Sequence, residues 1–334
     1  MYRLRPFRNS DPPHLAEIWR SQPPQRGMLQ GVSAPLLEYS VFSKMHFDRQ
    51  GLIVATRDDV PVGFVHAGFG PSEDRTGIDT SMGTTLLLMM RSGMEDDALA
   101  DQLLAASEEY LRSRGASVFY AGGLKPLNSF YLGLYGGSEI PGVLHSNSLL
   151  RDACLRSGYT ETAKVTIQHC DLVRFRPLVT HKVRQLKYST RVEETTDPMA
   201  NNWWEACVWG SHERDRFELI EKRSRRVLAS ASFWDVQPLS MGWGICTAGL
   251  FDLYVEPDCR REGCASLLLN EAFRLLRRRG VSTIEAQSMT TNEAANAFYV
   301  ALGFSEVDHG LIYRKGATNL NGAVAAVVVA EANC

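Results

Sequence analysis

The residues with the most chemical content form one short run, Arg260-Arg261-Glu262-Gly263-Cys264-Ala265. It comes after an apolar stretch, Ala248 to Val255, that reads as a strand stopped at Pro257. A helix is expected from about Gly263, with apolar residues at Leu267, Leu268, Phe273, Leu275 and Leu276. Arg277-Arg278-Arg279 in its last turn and Gly280 after it suit the negative end of a helix dipole. Such a helix start leaves main-chain N–H donors unpaired over Arg261 to Ser266, at the positive end of the dipole, and a cluster of that kind binds phosphate. Gly263 lets the main chain approach closely, and Arg260 and Arg261 add positive charge. The run lacks the Gly-Lys-Ser/Thr of a Walker A loop and is not Gly-x-Gly-x-x-Gly. Taken alone it also reads as a basic, well-capped helix start with no ligand.

The residues beyond the helix narrow the choice. After Gly280 come an expected strand, Val281 to Ser288, and then Asn292-Glu293-Ala294-Ala295-Asn296-Ala297-Phe298-Tyr299-Val300-Ala301-Leu302-Gly303-Phe304. Here the chain resembles the GNAT family of N-acetyltransferases. The family's pyrophosphate loop, Arg/Gln-x-x-Gly-x-Gly/Ala, is matched by Arg260, Gly263 and Ala265. Its Asn-x-x-Ala-x-x-x-Tyr-x-x-Leu-Gly-Phe motif is matched by Asn292, Ala295, Tyr299, Leu302, Gly303 and Phe304.

The resemblance implies transfer of an acetyl group from acetyl-CoA, as cosubstrate, to a primary amine of a small molecule or peptide. It implies that Arg260, Arg261, Glu262, Gly263, Cys264, Ala265 and Ser266 hold the pyrophosphate. The pantetheine arm would lie beside the central strand, on main-chain groups at Leu253 and Val255, with Asn292 steadying it. Main-chain N–H there would also polarise the thioester carbonyl. Tyr299 is the expected proton donor: a phenol near pKa ~10 can protonate a thiolate whose conjugate acid is near ~8.5. The same tyrosine could be only a ring packed on Leu302 and Phe304. An amine near pKa ~10 arrives protonated, so a carboxylate must take its proton; Asp252 on the central strand is the candidate, with Glu285 on the next strand second. A non-catalytic acyl-CoA sensor or scaffold, or a different acyl donor, is the alternative.

The elements that must position these groups occur twice. Laying Gly115 on Gly280, a shift of 165 positions, superposes Arg112-Ser113-Arg114 on Arg277-Arg278-Arg279 and Leu103-Leu104 on Leu268-Leu269. A shift of 145 lays Ser157-Gly158-Tyr159 on Leu302-Gly303-Phe304 and Asn147 on Asn292. The difference of 20 marks an insertion in the first copy, assigned to the Gly-rich Ala121 to Pro141. The expected fold is therefore α/β, two tandem GNAT acyl-CoA N-acyltransferase folds with a mixed sheet. Residues 1–173 form a degenerate copy, 185–316 the catalytic one, and 317–334 a tail. In the first copy, Glu95, Asp96, Asp97 and Ala98 stand where the second has Arg260, Arg261, Glu262 and Gly263, and carboxylates there would repel a pyrophosphate. Asp252 falls on Leu87 and Tyr299 on Cys154. The join runs through a basic segment, Arg174 to Lys187, and Pro198 to Gly210, with Trp203, Trp204 and Trp209, is expected as a helix facing the core.

Composition sets the outer limits. The 334 residues suffice for two domains, and 44% hydrophobic with 22% charged residues is a soluble pattern. A net charge of -2 argues against nucleic acid and anionic membranes as partners. No apolar leader or spanning stretch is read, and seven cysteines without C-x-x-C spacing suit a reducing cytoplasm and no metal. No oligomeric state is implied.

Overall fold

The structure is a computed structural model, and it describes residues 1–127 and 130–316. The expected tail lies outside the described residues. The first half runs β1 (Tyr2–Pro6), α1 (Pro12–Arg20), α2 (Ala34–Leu37), β2 (Leu52–Arg57), β3 (Val60–Pro71), β4 (Ile78–Met90), α3 (Asp97–Ser113), β5 (Val118–Ala121), β6 (Val143–Leu144), α4 (Ser148–Arg156) and β7 (Thr160–Asp171). A connecting helix, α5 (His181–Ser189), leads to β8 (Thr190–Thr196), α6 (Trp203–Trp209), β9 (Arg214–Glu221), β10 (Val227–Asp235), β11 (Thr247–Val255), α7 (Cys264–Arg278), β12 (Thr283–Met289), α8 (Glu293–Ala301) and β13 (Ser305–Gly316).

Local chemistry accounts for the long helices. α7 buries Leu267, Leu268, Phe273 and Leu276 on one face and turns Arg277 and Arg278 into its last turn. Gly280, at φ +94°, ends it in the left-handed region that glycine takes without cost. α3 repeats the pattern with Leu103 and Leu104 fully buried. The segment read as a basic join runs into α5, which the sequence did not announce: only Val183 of its nine residues is buried.

All of this packs on one 13-stranded mixed sheet, in the order β1-β2-β3-β4-β5-β13-β7-β12-β11-β10-β9-β8, with β6 beside β13. β4–β5 and β11–β12 are parallel and the other pairings antiparallel. The two halves exchange their last strands. β13 pairs with β5 of the first half, Tyr313 opposite Ala121, and β7 pairs with β12 of the second, Cys170 opposite Ile284. β7 and β13 also pair with each other at the centre. The spans 1–173 and 185–316 thus do not each hold a sheet of their own; each is completed by the other's final strand. One apolar cluster joins them as well, running from Trp19 and Phe130 to Trp204, Trp209, Trp234 and Phe251.

Candidate active site

The two copies superpose in register. Met82 to Thr85 lie opposite Val118 to Ala121, and the same 165-residue shift gives Thr247 to Leu250 opposite Thr283 to Ala286. In the second half the pairing stops there, although β11 continues to Val255 and β12 to Met289. A bulge against β10 falls at this point, and Asp252 within it sits at φ +51°. The parting strands open into a cavity of about 790 Å³ lined by Phe251, Leu253, Gln287 and Tyr299.

In the first half the corresponding opening is closed. Gly122 N–H donates to the Thr85 carbonyl (2.8 Å) and Thr84 Oγ1 to the Gly122 carbonyl (2.8 Å). Phe130 and Tyr131 of the insertion pack on His66, whose ring hydrogen-bonds the Tyr131 hydroxyl at 2.8 Å.

The loop into α7 has the form expected for a phosphate cradle. Arg261 (φ +62°) and Gly263 (φ +91°) both take left-handed backbone, and Gly263 is the N-cap. A Cβ at Gly263 would lie 3.1 Å from Val183 Cγ2, so α5 presses directly on the loop. Among the described residues, the N–H groups of Arg261, Glu262, Gly263, Cys264, Ala265 and Ser266 have no hydrogen-bond partner. Lys182 Nζ bonds the Arg261 carbonyl (3.1 Å) and the Glu262 carboxylate (2.9 Å), while Arg260 Nε bonds the Val255 carbonyl (3.3 Å). Cys264 is buried, and burial first, then the neighbouring Cys259, Glu262 and Asp258, push its thiol up to about 11. It packs rather than reacts.

The matched positions of the first half use their own donors. Asp96 caps α3 by accepting the Leu99 N–H (3.1 Å), and Glu95 accepts the Gly93 N–H (2.8 Å).

Tyr299 is buried, its ring centroid 5.1 Å from that of Phe304, and it also lines the cavity. Burial, and then the neighbouring Glu139 carboxylate, hold its phenol well above the ordinary value, so it stays protonated throughout the neutral range. Asn292 caps α8 through a bond from the Ala295 N–H (3.1 Å), so this oxygen already serves the helix. Asp252 reaches the cavity, but its carboxylate forms an ion pair with Lys125 of the first half.

Glu285, the second candidate base, is not in the cavity lining. It is fully buried and accepts from Arg26 (2.9 Å), His169 (2.9 Å) and the Ser138 N–H (2.6 Å). Burial alone would raise its pKa; the His169 hydrogen bond and the Arg26 charge outweigh that and hold it below the usual carboxylate range. It joins the halves structurally. Trp204 and Trp209 are buried, as expected, yet they also wall the cavity, Trp209 stacked on Phe251 at 4.1 Å.

No motif marks the remaining wall. Leu124, Lys125, Pro126, Glu139 and Ile140 of the insertion, and Arg75 from the β3–β4 turn, line the same cavity. Only the crossing of the insertion over the second half brings them there. The arrangement fits an acyl-CoA: unpaired N–H donors at the loop, an open strand edge leading inward, and the buried Gln287 Oε1, which has no donor among the described residues. No helix among the described residues is long and apolar enough to cross a membrane, and none of their His, Cys, Asp and Glu side chains group as a metal site.

Known proteins resemble this chain in sequence and in fold. Residues 180–304 match the Acetyltransferase (GNAT) family profile. A 59-residue stretch is 41% identical to the [Ribosomal protein bS18]-alanine N-acetyltransferase of Escherichia coli K12, covering 18% of this chain and 40% of that protein. The chain therefore spans well under half the length of that relative. Among solved structures, a tandem GNAT protein from the clavulanic acid biosynthesis pathway matches with a TM-score of 0.65 at 13% identity, over 95% of this chain and 98% of the other. A GCN5-related N-acetyltransferase from Sphaerobacter thermophilus matches with a TM-score of 0.59 at 13% identity, over 94% and 95%. The chain thus carries a tandem GNAT fold over 95% of its length, and its residues 180–304 match the GNAT acetyltransferase family.

Proposed function

We propose that the second half transfers an acetyl group from acetyl-CoA to a primary amine of a small molecule or peptide, by direct attack, in the cytoplasm. The observation that carries this reading is the row of unpartnered N–H donors from Arg261 to Ser266, beside an open strand edge that leads to Tyr299. The donors suit a pyrophosphate, the strand edge at Leu253 and Val255 suits a pantetheine arm, and the protonated phenol suits a departing thiolate. The relative's printed activity, acetylation of a protein alanine, supports an amine acceptor and keeps peptides within the class. No part is assigned to nucleic acid, membrane or metal.

The test is thiol release from acetyl-CoA by the purified full chain against polyamines, aminosugars, amino acids and peptides. Release that depends on an amine supports transfer. Tight acetyl-CoA binding without release for any amine would instead support a sensor or scaffold.

A further inference from the structure

The cavity's two walls come from different halves. The insertion that supplies one wall is clamped where it reaches the second half. Ser138 N–H donates to Glu285 (2.6 Å), the Ser138 carbonyl accepts from Trp234 Nε1 (2.9 Å), and the Glu139 carbonyl accepts from Gln287 Nε2 (2.9 Å). Trp234 belongs to β10, and Glu285 and Gln287 to β12. A Cβ at Gly137 would collide with the Glu285 carboxylate, so only glycine lets the insertion come this close. The clamp fixes the main chain of Glu139 beside Gln287, just past the point where β11 and β12 part. Glu139 lines the same cavity as Tyr299, and its carboxylate is near enough to raise the pKa of that phenol.

We propose that Glu139, carried by the amino-terminal half, is the carboxylate that receives the acceptor's ammonium group and takes its proton. This rests on the amine acetyltransferase reading above. The ammonium gives one proton to Glu139, and the freed nitrogen pair forms the C–N bond at the thioester carbonyl carbon. The C–S bond breaks with its electron pair going to sulfur, which takes the Tyr299 proton. The second nitrogen proton restores the phenol, and the first passes from Glu139 to solvent, so each amide formed releases one proton. Acid and base thus stand in one cavity but on separate halves of the chain, and the first half is a working part of the site.

The experiment is Glu139→Gln in the full chain, with acetyl-CoA and the best acceptor found among polyamines, aminosugars, amino acids and peptides. Thiol release is followed from about pH 6 to about pH 10.5, and acetyl-CoA affinity by calorimetry. We expect kcat/KM to fall by about 10²-fold near neutrality. The loss should shrink to less than about tenfold above the amine's own pKa of ~10, where no base is needed. Acetyl-CoA affinity should be unchanged, and Glu139→Asp should restore part of the neutral rate. A wild-type rate and profile in Glu139→Gln, a loss equal at every pH, or a larger pH-dependent loss in Asp252→Asn would each overturn the proposal. Thiol release by the wild type with any of these three results overturns this inference alone; no release with any amine overturns the transferase reading as well.

Discussion

Lys125 of the first half forms an ion pair with Asp252 on the bulge of β11 in the second. The pair ties the two walls of the cavity together at the strand where the sheet opens. Both side chains are more than a third exposed, so solvent screens the pair and its worth to stability is at most about 1 kcal/mol. Lys125→Ala should therefore leave the urea midpoint close to wild type while raising the acceptor KM severalfold. An unchanged KM with a lowered midpoint would make the pair a strut and no more.

Backbone shape makes Gly263 hard to replace. Gly263→Val places a branched side chain at φ +91° and against Val183, distorting the cradle. The acetyl-CoA dissociation constant should rise at least tenfold, about 1.4 kcal/mol, and Arg260→Glu with Arg261→Glu should do the same by charge. Calorimetry with unaltered affinity in both would remove the loop from the binding site.

One acetyl-CoA should bind per chain. In the first half Asp96 and Glu95 already accept main-chain N–H groups at the α3 start, and the opening between β4 and β5 is closed at Gly122. Two equivalents of comparable affinity by titration would contradict this asymmetry.

Tyr299→Phe keeps the ring on Phe304 and removes only the hydroxyl. Turnover should drop by about 10²-fold with acetyl-CoA affinity nearly constant, and the drop should lessen with acyl donors whose thiol is more acidic. Cys154, at the matched position, is fully buried with its thiol pushed to about 12, chiefly by burial. Cys154→Ala should cost packing but little turnover. Equal losses from the two variants would assign Tyr299 to the core.

Stability should depend on pH through the buried Glu285. Its folded pKa lies below its ordinary value of 4.5, so its contribution to stability is fully present above about 4.5 and is lost as pH falls through the lower folded value. Arg26→Ala leaves this carboxylate without its guanidinium and should cost about 3–5 kcal/mol at neutral pH. The penalty should shrink in acid, once the carboxyl is protonated. Denaturant melts from about pH 3 to about pH 7 would reveal it; a penalty independent of pH would mean that Arg26 acts through packing on Trp243, 4.4 Å from its ring.

The linear order of residues determined whatever is local. The α7 start, with its unpartnered N–H groups from Arg261 to Ser266, arises from a strand, a proline, a glycine and an amphipathic helix in succession. The duplication could be read because Gly115 and Gly280 end equivalent helices, and the register of β4–β5 on β11–β12 obeys the same shift. Asn292 as helix cap also lay within reach, since a helix start needs an acceptor whether or not a ligand is near.

Tertiary structure decided everything that depends on long-range pairing. The exchange of β7 and β13 leaves no trace in local pattern, because strands pair through main-chain N–H and C=O groups that nearly every residue carries. Glu285 and Asp252 were both eligible as bases by residue type; burial against Arg26 and His169 removes the first from the cavity, and Lys125 engages the second. Glu139 could not be singled out because its relevance comes from the clamp at Ser138 and Gln287, whose partners stand nearly 150 positions along the chain. A carboxylate's chemistry is written in its type, but the proton it meets depends on which distant wall it faces.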